Sequence, residues 1–400
     1  MTSAQTNERT TLRVVAPIAG FYFASFAVLA VWLPFAVDYL HARGLSAREG
    51  TLVVAAGIWI RTFSLPWMAS FADRHGIGAR ALALASAASL ATFALLAAVD
   101  GIGPLLLAGL LFGMAYPPLI PWCDRVAVRT ARERGIEYGR LRLFGSVSFL
   151  LTMIGVGAWI DRSSPEVVPI PILIALLCAT ILSLWMDDPT RNRGSVRDRP
   201  VRGLLRDRGV RRILVTAGLI QASHAAYYAL SVIDWQKASI DRTTSSILWS
   251  EGVLAEVLLF AGVVPALLRS SPKTLFLLGA GSAVLRWAVL ATTTDIVWLA
   301  STSWLHALSF GATHVAAVRA LSEATPSARS ATAQSLLSAM TNGGFMALST
   351  ALAAELYEPS DWSPLAEFSG RSATYPAMAL LALLGGLSAI RLTTTKPSTT

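Results

Sequence analysis

Long apolar runs recur along this chain, each closed by a short polar stretch; "ALALASAASLATFALLAAV" (81–99) is one of them. About 20 apolar residues are what a helix needs to cross a bilayer. Strands of a membrane barrel would instead show alternating segments of ~10 residues, and the sequence has none. The pattern predicts twelve helical spans, at 14–38, 49–71, 80–99, 102–123, 139–160, 167–186, 211–235, 245–268, 274–292, 295–318, 330–355 and 372–391. The expected fold class is therefore an all-α membrane protein.

The strongest break in this pattern is "DDPTRNRGSVRDRPVRGLLRDRGVRR" (187–212), with nine arginines. A charged run of this kind reads as a solvated loop. It divides the spans six and six, so the expected domains are an N-terminal six-helix half (1–186), a basic cytoplasmic linker (187–210) and a C-terminal six-helix half (211–400). Two such halves with a substrate site between them at the bilayer midplane are a secondary-transporter architecture.

Composition agrees. Hydrophobic residues make up 54% of the 400 and charged ones 14%, against about 25% charged in soluble domains. The net charge of +9 suggests a nucleic-acid surface only until the basic residues are placed. With the N-terminus inside, 24 of the 33 fall in the inner loops and tails, six in the outer loops, and three (Arg61, Arg142, Arg286) within spans. That bias puts both termini in the cytoplasm and leaves no reason to expect a nucleic-acid partner. The expected surroundings are the lipid bilayer of a bacterial inner membrane, crossed many times by a monomer. The polar N-tail is expected to run into an uncleaved first helix. Cys123 and Cys178 lie in or beside spans and form no disulfide framework. No nucleotide-binding loop, hydrolase elbow or metalloprotease motif appears in a fitting context, so neither an enzyme nor a cofactor is expected. The span histidines lack zinc-site spacing, so no metal is expected either.

Charges at bilayer depth are costly and mark function by default. Arg61 sits mid-span in "GIWIRTFSLPW". Asp124 ends span four after the proline-broken "YPPLIP" (116–121), and Arg142 opens span five in "EYGRLRLFGSVSFLL". A hairpin of these two spans would set Asp124 and Arg142 at similar depth, as an ion pair or as a site for a charged solute. "QASHAAYYALS" (221–231) places His224 and Tyr228 on one stripe, with Tyr227 beside it. In span eight Trp249, Gly252 and Glu256 share a face, and Glu251 is on another. Removal from water favours the neutral form of a carboxylate, which makes Glu256 a candidate proton carrier. Arg286 in span nine could pair with it. "HALSFGATH" turns His306, Phe310, Thr313 and His314 roughly one way.

Several of these stretches resemble the phenylpropionate permease-type branch of the major facilitator superfamily, relatives of the lactose permease and nucleoside symporters. They are "YGRLRLFGSVSF", "SHAAYYALSVIDWQ", "LWSEGVLAEVLLFA", "AVLRWAVLATTT" and "WLHALSFGATHVAAVRAL". The loop "SFADRHGIGAR" (70–80) is similar to the superfamily's gating signature, with Asp73, Arg74, Gly76 and Arg80 keeping its outline and Ala69 where a glycine is usual. The resemblance implies the facilitator fold and proton-coupled uptake of a small organic solute, an aromatic acid such as 3-phenylpropionate for the named branch. The branch's pattern matches Arg61, Asp124, Tyr138, Arg142, His224, Tyr227, Tyr228, Glu256, Arg286, His306, His314 and Arg319. Of these it implies substrate contacts from Arg61, Asp124, Arg142, His224, Tyr227 and Tyr228, to which the helical stripe of span ten adds Phe310. Proton coupling would fall to Glu256, His306, Arg286, His314 and Glu251. The sugar symporters' proton-carrying glutamate of span ten falls at Ser309 here, which shifts that role towards Glu256. Glu251 resembles their span-eight acid. A proton-antiport exporter, a sugar or nucleoside symporter, and a non-transport scaffold or receptor built on the 187–212 loop are the competing expectations.

Overall fold

A computed structural model describes residues 3–75, 79–186, 201–262, 265–326, 329–360, 363, 367 and 369–392. All regular structure among them is helical. The first half of the chain folds as α1 (Ser3–Ala42), α2 (Ala47–His75), α3 (Ala79–Ala98), α4 (Ile102–Ala115), α5 (Leu119–Arg134), α6 (Tyr138–Arg162) and α7 (Pro169–Leu184). The second runs through α8 (Val201–Arg206), α9 (Arg208–Ala222), α10 (Ala225–Lys237), α11 (Arg242–Phe260), α12 (Pro265–Arg269) and α13 (Pro272–Thr292). It ends with α14 (Ile296–Ser303), α15 (Thr313–Ala324), α16 (Ser330–Ala339), α17 (Phe345–Tyr357) and α18 (Arg371–Ile390). Among the described residues nine helical segments are long and apolar enough to cross a membrane. The helices α2, α11 and α14–α15 lie outside that count; α11 carries Glu251 and Glu256, and α14–α15 is interrupted.

The interruptions have visible causes. Pro117 and Pro118 supply no backbone donors, and the chain turns between α4 and α5 there, as "YPPLIP" leads one to expect. The freed turn is tied down by Tyr116, whose hydroxyl donates to the Ser25 carbonyl at 2.7 Å. The break at Ser223–His224 between α9 and α10 contains no proline or glycine. Two π-helical turns, Ala307–Ala312 and Met340–Gly344, widen the helix locally; such turns concentrate at functional sites.

Within the first half α1 packs on α6 and α7, and α2 on α4; within the second, α13 packs on α18 and α18 on α9. The α2–α4 crossing is set by Gly57 and Gly113, because a Cβ on Gly113 would run into the backbone of Gly57. Small residues allow such approach in membrane helices. Gly113→Val is therefore expected to destabilise the fold by about 1–3 kcal/mol, the usual range for overpacking. A thermal-unfolding series in detergent would show it as a lowered midpoint.

The two halves meet along α2–α17, α6–α11 and α1–α10. At the end of the bundle away from the termini, charged side chains lock this contact. Arg242 grips Asp38 of α1 with two parallel hydrogen bonds, Nε–Oδ2 at 2.7 Å and Nη2–Oδ1 at 3.0 Å. Asp161 accepts from the Arg242 and Thr243 amides and from Thr243 Oγ1, at 3.0, 2.8 and 2.6 Å. Across the bundle Arg48 Nε donates to Glu355 at 2.8 Å, and the Arg48 amide donates to Glu358 at 3.0 Å. Bidentate arginine–carboxylate pairs are among the stronger polar contacts, so this end is shut.

Asp73, Arg74 and Gly76 of the expected gating loop lie outside the described side chains and residues, as does most of the 187–210 segment. Arg80 is exposed at the start of α3.

Candidate functional site

A cavity of about 720 Å³ lies between the halves. The first half contributes Phe26, Leu29 and Leu33 from α1, Ile120 from α5, and Tyr138, Arg142, Ser146 and Phe149 among others from α6. The second contributes Tyr227, Tyr228, Trp249, Val253, Glu256, Phe260, His306 and Phe310. The lining runs as far as Tyr138, the first residue of α6, and Phe260, the last of α11. Both lie at the end opposite the Arg242–Asp38 lock, so the space reaches toward the side that carries the chain termini.

Among the described lining residues eight are Phe, Tyr or Trp, and one arginine and one acid come from opposite halves. Arg142 is held by ring faces: its Cζ lies 4.1 Å from the Phe26 centroid and 5.7 Å from that of Tyr22. The ion pair expected between Asp124 and Arg142 is not formed. Asp124 Oδ1 accepts instead from Tyr22 Oη at 2.5 Å and from Tyr138 Oη at 2.8 Å. Two phenols share Oδ1 of this carboxylate, and the guanidinium lines the cavity.

Glu256 belongs to a buried polar chain. Its Oε2 is 3.7 Å from His306 Nε2. His306 Nδ1 is 3.1 Å from Arg286 Nη1, which also reaches Ser309 Oγ at 3.2 Å. A guanidinium has donors and no acceptor, so His306 Nδ1 must offer its lone pair, and the neutral ring carries its hydrogen on Nε2, aimed at Glu256. His224 completes the chain: Nε2 meets Ser309 Oγ at 3.0 Å, while Nδ1 lies 3.2 Å from the carbonyls of Ile220 and Gln221. Nδ1 therefore donates, and Ser309 donates to Nε2. Arg286 is 1% exposed, and its Cζ lies 4.9 Å from the centroid of the Tyr227 ring and of the Trp287 ring.

The direct Arg286–Glu256 pair left open by the sequence is replaced by contact through His306. Other expectations change too. Arg61 does not line the cavity, and its Nε is buried without a hydrogen-bond partner among the described residues. Glu251 and His224 also stand outside the lining, His224 stacked behind Tyr228 at 5.7 Å. His306 and Phe310 do share a direction, their rings stacked at 5.3 Å. Thr313 and His314 part company: Thr313 is buried against Gly279 and His314 is exposed. Adjacent helical residues point about 100° apart, so turning one into α13 turns the other out. Sequence reasoning gave no site role to Tyr22 and Phe26, although Tyr22, Phe26, Leu29 and Leu33 recur at the spacing of one helix face. Tyr138 stands out in the sequence only through the resemblance, and Ser309, the place of a missing acid there, is in the structure the node joining Arg286 to His224.

The comparisons agree with this architecture. Residues 16–360 match the model of the MFS_1 like family. The chain is 30% identical over 347 residues to the "Probable 3-phenylpropionic acid transporter" of Escherichia coli (strain K12), covering 84% of this chain and 89% of that protein. It is 26% identical over 336 residues to the maltose permease of Geobacillus stearothermophilus, covering 81% and 82%. The crystal structure of the nucleoside transporter NupG superposes with a TM-score of 0.79 at 15% identity, over 96% of this chain and 100% of that one. That of the peptide transporter POT in complex with sulfate gives 0.74 at 13%, over 94% of each. The chain belongs to the MFS_1 like family and is a multi-pass membrane transporter of the major facilitator superfamily.

Proposed function

We propose that the protein takes up an aromatic carboxylate, such as 3-phenylpropionate, together with a proton, by alternating access in a bacterial inner membrane. The protein crosses that membrane twelve times with both termini in the cytoplasm, and the halves 1–186 and 211–400 rock about the cavity. One observation carries the reading: a cavity lined by many aromatic rings presents an arginine with no ion-pair partner among the described residues from one half and Glu256 from the other. An aromatic ring gains from burial against Tyr227, Tyr228, Phe149 and Phe310, and a carboxylate matches the planar fork of Arg142.

Charge balance supplies the coupling. In the empty cavity the Glu256 carboxylate offsets Arg142. When a substrate anion takes the guanidinium, a second carboxylate in the same space is repelled, and a proton on Glu256 removes that repulsion. Substrate and proton therefore favour each other's binding, a reciprocal linkage. Both the empty and the doubly loaded carrier present the same net charge to the low-dielectric interior, so both can reorient. His306 serves as a neutral donor that presents the Arg286 charge to Glu256.

With the termini inside, the end held shut by Arg242 and Asp38 is the outer one. Arg242→Ala should loosen that closure, because breaking a partly buried ion pair leaves Asp38 unpaired. With Cys123 and Cys178 replaced, Leu33→Cys should label with an impermeant maleimide from outside about tenfold faster when Arg242→Ala is added. An unchanged rate would remove the lock from the account. Uptake itself is tested with radiolabelled 3-phenylpropionate in energised cells. Accumulation above a vector control, collapsed by a protonophore, is expected; sensitisation to drugs on deletion, without uptake, would instead indicate export.

A further inference from the structure

We propose that Tyr22 and Tyr138 form a brace that holds Asp124 away from Arg142 and so keeps the guanidinium open to a carboxylate. The inference rests on the reading of Arg142 as the substrate anchor, and it assigns Asp124 a positioning role rather than a substrate-binding one.

The geometry is compact. Tyr22 serves both charged groups at once: its hydroxyl donates to Asp124 Oδ1 at 2.5 Å while its ring lies 5.7 Å from Arg142 Cζ. Tyr138 donates to the same oxygen at 2.8 Å. An acid and an arginine that share one tyrosine attract each other strongly where water is scarce, yet they do not pair. The phenols change the balance by satisfying the carboxylate without cancelling the arginine's charge, and Phe26 at 4.1 Å receives the guanidinium over its face. Tyr22 is fully buried and is not part of the cavity lining. Its hydroxyl can thus be removed without touching a bound solute. Tyr138 does line the cavity, so its hydroxyl links the Asp124 contact to the space a substrate would fill.

Loss of a phenol should let the freed carboxylate swing to Arg142. Phenylglyoxal, which modifies free guanidinium groups, reports this without reference to any substrate. On full-length protein in detergent, the modification rate of the Arg142 peptide is followed by mass spectrometry. Tyr22→Phe is expected to slow modification about tenfold, the scale of a close charge pair, and Tyr22→Phe with Asp124→Asn is expected to restore it. Tyr138→Phe carries the same expectation and serves if the buried tyrosine proves necessary for folding. An unchanged rate in both single variants, or a slowing that Asp124→Asn does not reverse, overturns the brace. The anchor is tested apart from it: 3-phenylpropionate should protect Arg142 in the unaltered protein. Failure of protection with intact mutant behaviour would remove the substrate assignment and leave the brace standing.

Discussion

Arg142→Gln is expected to abolish high-affinity binding of 3-phenylpropionate while leaving the protein folded. Among the described cavity-lining residues the guanidinium is the one positive group, and it is held by ring faces rather than by a carboxylate. Its removal leaves an incoming anion with aromatic surface and no counter-charge. Truncating one partner of a buried charge pair costs about 2–5 kcal/mol, or roughly thirty- to several-thousand-fold in Kd. Arg142→Lys keeps the charge but loses the planar fork, and should fall between, near about tenfold weaker. Titration calorimetry on purified protein measures both. Binding within about threefold of the unaltered protein in Arg142→Gln, less than 1 kcal/mol, would move the anchor elsewhere. Arg286 is the other candidate, although it is buried behind His306 and Tyr227.

Glu256→Gln is expected to separate coupling from translocation. Glutamine resembles the protonated acid, so the carrier should bind the anion, reorient loaded and exchange it down a gradient. It should lose uphill accumulation altogether: with one proton per solute, a pH difference of one unit sustains about a tenfold concentration ratio, and the variant should reach only equality. Counterflow of labelled against unlabelled 3-phenylpropionate should persist. Loss of both activities would make Glu256 a binding or folding residue, held 3.7 Å from His306 for structural reasons. His306→Gln adds a check on the neutral-ring assignment. A glutamine amide can donate near the position of Nε2, so coupling should survive in part if the imidazole never carries the proton.

Much of this arrangement is legible in the chain. Hydropathy alone places α6 and α18 to within two residues, because lipid-facing helices need long apolar runs and their ends are marked by Arg140, Arg162, Arg371 and Arg391. The depth of Arg142, Glu256, Arg286 and His306 follows from the same runs, as does the turn at Pro117–Pro118. Side-chain partnership does not follow. Spacing puts Asp124 and Arg142 at one depth, but it cannot show that Tyr22, 102 residues before Asp124, competes for the carboxylate. Likewise Arg286 and Glu256 are near enough in register to suggest a pair, and only the packing of α13 against the π turn at Ala307–Ala312 inserts His306 between them. Regular periodicity also fails where the backbone departs from 3.6 residues per turn, as at Ser223–His224 and in that π turn. His314 faces outward for a different reason: it is the helical neighbour of Thr313, which packs into α13.

Coupling requires that solute and proton move together. Purified protein in tight liposomes, with an internal pH dye and no imposed gradient, tests this directly. On addition of external 3-phenylpropionate, the protein should acidify the lumen faster than matched liposomes carrying Arg142→Gln, which report passive entry of the weak acid. Identical traces for the two, under conditions where labelled solute still enters through the unaltered protein alone, would show transport without a proton and contradict the coupling assigned to Glu256.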